Sequence, residues 1–83
     1  MNVIERFNLF VDYRDSKFGN FPILAEGFRR AGQSAEEIID EFSQEERKQV
    51  YCFTLEDAKG QVLGRFRPHN YLGNIVFSFS FED

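Results

Sequence analysis

Apolar residues recur at every second position near the end of the chain, where Ile75, Phe77, Phe79 and Phe81 alternate with Val76, Ser78, Ser80 and Glu82. Side chains of an extended chain point alternately to opposite faces, so this stretch predicts a strand that buries three phenyl rings on one face. The same period of two runs through residues 50–55, with Tyr51, Phe53 and Leu55 on one side and Val50, Cys52 and Thr54 on the other. Glu56-Asp57-Ala58-Lys59-Gly60 then reads as a reverse turn closing on a left-handed Gly60, and residues 61–67 return as a partner strand. Pro68, His69 and Asn70 break that strand, Gly73 and Asn74 turn again, and the three strands form an antiparallel meander.

Helical spacing dominates the middle of the chain. Pro22 suits the first turn of a helix, Leu24, Phe28 and Ala31 lie on one stripe, and Gly32 supplies a common helix terminator after Arg29 and Arg30. Ser34, with Glu37 three residues on, forms a capping box that opens a second helix. Its buried face is Ala35, Ile38, Ile39 and Phe42, and its wet face is Glu36, Glu37, Asp40 and Glu41. Ser43 and Glu46 repeat the box, so the helix either stops at Phe42 and restarts as a short turn or runs straight on.

Residues 3–14 admit both periods. Alternation sets Phe7, Leu9, Val11 and Tyr13 on one face, whereas helical spacing would stripe Ile4, Phe7 and Val11. The strand is preferred, because Phe, Val and Tyr suit a pleated surface while Asn8 and Asp12 are poor inside helices. Asp15-Ser16-Lys17-Phe18-Gly19-Asn20 is a turn by composition. The expected architecture is one α+β domain over residues 1–83, ordered β-α-α-β-β-β, with a helical hairpin over residues 22–42 packed on a small antiparallel sheet. Its expected core is Phe7, Leu9, Val11, Leu24, Phe28, Ile38, Ile39, Phe42, Tyr51, Phe53, Ile75, Phe77, Phe79 and Phe81.

Eighty-three residues give a thin core, which eleven Phe and three Tyr must fill. Net charge is −4, a balance that argues against life on a phosphate backbone. One cysteine, Cys52, excludes an internal disulfide and a cysteine-only zinc cage, and suits reduced cytoplasm. No apolar run approaches the length of a membrane helix, and the first residues carry neither basic lead nor signal core, so a soluble cytoplasmic protein without membrane contact is expected.

No reaction constellation is visible. His69 sits alone in a loop without further ligands, and Cys52 in a strand lacks a positioned base. Gly60, Gly64 and Gly73 are too far apart to cradle a phosphate. The two short helices around Gly32 have the outline of a helix-turn-helix, but Glu36 and Glu37 would lead into the groove.

Two surface features remain. Glu36, Glu37, Asp40 and Glu41 form an acidic face, and Phe66 and Tyr71 belong to a surplus of aromatics beyond what one thin core can hide. These six residues predict a partner surface on a non-enzymatic interaction module, acting without cofactor or metal as an adaptor, inhibitor or regulatory subunit. The partner is another protein, and a homodimer through a sheet edge is its simplest form. The alternative from a different class is nucleic-acid-related. Either Arg65, Arg67 and Tyr71 on the last hairpin bind single strands, or the acidic helix mimics nucleic acid.

Overall fold

The computed structural model describes residues 3–82 as a five-stranded antiparallel sheet with two helices on one face. Five strands, β1 (Glu5–Tyr13), β2 (Phe18–Ala25), β3 (Val50–Asp57), β4 (Val62–Tyr71) and β5 (Asn74–Phe81), flank two helices, α1 (Phe28–Asp40) and α2 (Gln44–Arg47). The strand order is β2-β1-β3-β4-β5. The N-terminal strand and the β3-β4-β5 meander form as the periodicity predicts, and Gly60 closes its turn at φ 83°. Asp57 Oδ1 accepts from the backbone N–H groups of Lys59 and Gln61 to set that turn.

The expected helical hairpin is corrected: sheet predominates, and residues 22–42 do not make two helices. Pro22 lies within β2, opposite Asn8, rather than in a first helical turn. Extension wins there because it buries Ile23 and Ala25 beside β1, whereas the helical alternative would have buried Leu24, which is 68% exposed. From Phe28 onward one helix runs through Gly32 and Ser34, so the Ser34–Glu37 box caps nothing. Its stripe of Phe28, Ala31, Ala35, Ile38 and Ile39 is continuous at helical spacing, and burying it outweighs the roughly 1 kcal/mol that an interior glycine costs.

The Ser43 box does form. Glu46 N–H donates to Ser43 Oγ at 3.1 Å, and Ser43 N–H donates to Glu46 Oε1 at 2.8 Å. Ser43→Ala should therefore cost about 1 kcal/mol, read as a lowered urea midpoint. The Ser43 N–H holds the Glu46 carboxyl below its usual range. A depressed carboxyl stabilises above the unfolded value and loses that contribution as pH falls through its own lowered one, so the box is complete at neutral pH.

The two prolines show how the ladders are satisfied. Tyr13 N–H donates to Lys17 C=O at 2.9 Å. Antiparallel hydrogen bonding alternates, so odd-numbered β2 residues bond to β1 while Phe18, Asn20, Pro22 and Leu24 turn their backbone groups outward. Pro22 thus gives up no ladder bond. Pro68 does not end β4, as the sequence suggested. Glu82 N–H donates to Leu63 C=O, which assigns odd-numbered β4 residues to β5 and aims the Pro68 nitrogen towards β3. The β3–β4 pairing has by then ended at Phe53 and Phe66, so the missing donor leaves nothing unpaired.

The core lies between the sheet and α1. Phe53, Leu9, Leu55, Val11 and Val50 are fully buried, joined by Phe7, Ile23, Ile39 and the close-packing Ala31 and Ala35. Three expected core residues, Leu24, Tyr51 and Phe81, are exposed. Tyr51 is displaced because a register shift at Asp12 and Tyr13 pairs Val50 with Tyr13 and turns Val50 inward, the local re-aiming that a bulge produces.

Candidate functional site

Helix α1 sits over the β2 side of the sheet, so β4 and β5 are only partly roofed. What they leave open is a trough between α1 and β5, made of two adjoining hollows that share Glu36 and Phe66. One, of about 400 Å³, is lined by Phe28, Gly32, Glu36, Phe66, Phe79 and Phe81. Its neighbour, of about 280 Å³, is lined by Glu36, Ile39, Asp40, Arg47, Phe66 and Phe77. Rings pave the floor. Phe28 stacks on Phe81 at 5.5 Å between centroids, Phe66 meets Phe79 at 4.8 Å, and Phe53 meets Phe77 edge-on at 4.9 Å, all within the range of favourable aromatic pairs. Phe81 remains 71% exposed.

Along this trough runs an unfinished sheet edge. The Glu82–Leu63 bond fixes the alternation in β5: Val76, Ser78 and Ser80 bond to β4, whereas Ile75, Phe77, Phe79 and Phe81 turn their N–H and C=O groups outward. Ile75 is closed by a side chain that imitates a neighbouring strand. Its N–H donates to Gln44 Oε1 at 2.7 Å, and its carbonyl accepts from Gln44 Nε2 at 3.2 Å and from Arg47 Nη1 at 2.8 Å. Arg47 also donates to the carbonyls of Phe42 and Ile39 at the end of α1, so one guanidinium ties both helices to the start of β5. Among the described residues nothing pairs with the outward groups of Phe77, Phe79 and Phe81. The opposite edge differs, because Pro22 removes the donor at the middle of the β2 edge.

The expected partner residues are divided by this geometry. Glu36 and Asp40 line the trough, while Glu37 and Glu41 face a separate groove along β2, beside Pro22 and Ser34. Phe66, expected on the surface, is 2% exposed and serves as the trough floor. Tyr71 is exposed at the β4–β5 turn and lines neither hollow.

Arg65 and Arg67 lie on the opposite face of the sheet. The Arg65 guanidinium pairs with the Glu82 carboxylate, and that hydrogen bond raises its pKa. Arg67 Nη1 donates to Ser80 Oγ at 3.0 Å, and His69 Nε2 meets Ser78 Oγ at 2.5 Å. Cys52 is buried with its thiol 3.5 Å from Asp12 Oδ2. Burial first, then Asp12, pushes that thiol up, away from nucleophilic character.

Sequence reasoning missed Gln44 and Arg47, whose roles depend on an edge 28 to 31 residues away in the chain. It also assigned Phe77, Phe79 and Phe81 wholly to the core. Among the described residues no group of three or more His, Cys, Asp or Glu could hold a metal ion, and no helix is long and apolar enough to cross a membrane. The chain matches no protein-family model, no curated protein and no solved structure.

Proposed function

We propose that the protein is a non-enzymatic interaction module that takes up an extended polypeptide segment as a sixth strand along β5. The observation that carries this reading is the asymmetry of the two edges: Pro22 interrupts one, while the other presents three unpaired backbone positions above an aromatic floor. Strand addition draws affinity from main-chain hydrogen bonds and specificity from alternate side chains. The fitting segment alternates apolar residues, which enter the trough, with small polar ones on the far face. Glu36 and Asp40 stand in the trough beside Arg29 and Arg47, so its charges are mixed and the apolar floor dominates selection. An adaptor, an inhibitor and a regulatory subunit all work by such a contact.

The test is a titration with the capped peptide Lys-Phe-Ser-Phe-Ser-Phe-Lys, followed by amide hydrogen exchange. Saturable binding should slow exchange at Phe77, Phe79 and Phe81. Phe81→Pro should weaken binding at least tenfold, about 1.4 kcal/mol, without removing a β4 hydrogen bond, since the Phe81 N–H points outward. Phe81→Ala keeps that N–H and should weaken binding less. Protection along β2, or none at millimolar peptide while the protein sediments as a monomer, would refute the reading.

A further inference from the structure

Resting on the strand-adding edge above, we infer that the segment β5 receives is β5 of a second copy of this chain, running antiparallel with Phe79 on the two-fold axis. The backbone groups count this register off. Outward N–H and C=O groups are free at Phe77, Phe79 and Phe81, spaced by two. Pairing Phe79 with Phe79 of the second copy places Phe77 opposite Phe81 and Phe81 opposite Phe77. Every open position then meets an open position, giving about six backbone hydrogen bonds, two for each pair.

A slip by two residues along the edge loses this match. It would set Ile75 against Phe81 of the other copy, and the outward groups of Ile75 are already held by Gln44 and Arg47. The Gln44 amide therefore acts as a stop against that slip, while the opposite slip pairs Phe79 with Phe81 and keeps only two of the three matched pairs.

Side chains agree with the backbone. From Asn74 to Phe81 the strand carries no charge, so antiparallel self-pairing opposes no like charges, although the chain as a whole is acidic. The alternation of Phe and Ser sets ring against ring on the trough side, and Ser78 against Ser80 of the second copy on the far side, the matched cross-strand pairs that stabilise sheets. Phe81, exposed beside Phe28 in one copy, is covered by Phe77 of the other. The contact is isologous and closes on itself.

Disulfide trapping tests the alignment. Ser78 and Ser80 of the second copy form a non-hydrogen-bonded pair, the closer kind, with Cβ atoms roughly 4.5 to 5.5 Å apart, near disulfide range. Under mild oxidation a mixture of Ser78→Cys and Ser80→Cys proteins should give a linked heterodimer as its main product, with severalfold less from either variant alone. By sedimentation at tens of micromolar the wild type should be a dimer and Phe81→Pro a monomer, with Phe81→Ala, which keeps the N–H, shifted only in part. Preferential self-linking of Ser78→Cys would overturn the alignment. A monomeric wild type whose Phe77, Phe79 and Phe81 amides are protected by the added peptide would overturn the second copy while leaving the strand-adding edge. A monomer that also ignores the peptide would overturn both.

Discussion

Phe53→Ala should destabilise the domain by about 3 to 5 kcal/mol, and the melting temperature should fall by more than ~10 °C. Phe53 is fully buried. It packs perpendicular to two other rings, Phe42 at 5.2 Å and Phe77 at 4.9 Å, so truncation opens a cavity where the helix end, the central strand and the edge strand converge. Neighbouring rings cannot fill that space without leaving their own contacts, which places the cost towards the upper end of the range. Phe79→Ala removes an identical side chain from a half-buried position and should cost distinctly less. Urea denaturation of both variants checks the ranking, and equal losses would mean that the edge is as deeply packed as the centre.

Gly64→Val should be comparably damaging for the opposite reason. An added Cβ at Gly64 would meet the Phe79 ring at Cζ and Cε1, and the Ser80 carbonyl oxygen at only 2.5 Å. The ring could swing away. The carbonyl cannot, because it belongs to the ladder in which Arg65 pairs with Ser80 and Phe66 with Phe79. Overpacking of this kind costs about 1 to 3 kcal/mol for ordinary side chains, and a β-branched residue against backbone should reach or exceed the top of that range. Hydrogen exchange should show the loss concentrated in β5, with the β1–β2 amides much less affected. A Gly64→Ala protein within about 0.5 kcal/mol of wild type would mean that the two strands do not approach so closely.

The faces of the strands were legible because a period of two is a local property. Phe7, Leu9 and Val11 share an inner face in the sequence and in the fold, and so do Phe77, Phe79 and Phe81. Position within the sheet is not local. That β3 inserts beside β1, leaving the phenylalanine strand outermost, is decided by long-range pairing that no periodicity encodes. Rings expected in the core therefore form an open floor instead.

The same limit explains Pro22 and Ser34. Proline is tolerated both in a first helical turn and on an outward-facing edge. Ser34 with Glu37 has the composition of a cap, yet capping requires a helix end, and none lies there. Of the site, the carboxylates of Glu36 and Asp40 could be picked out as surface charge, but their separation from Glu37 and Glu41 depends on where the helix rests on the sheet.

Pro22 has a further consequence. A ribbon that lengthens copy by copy needs a hydrogen-bonding flank at either end, and here the β2 flank lacks its central donor while the β5 flank is used up when two copies meet. In the dimer inferred above, growth towards cross-β fibres would have to pass through the β2 flank, where Pro22 withholds a donor.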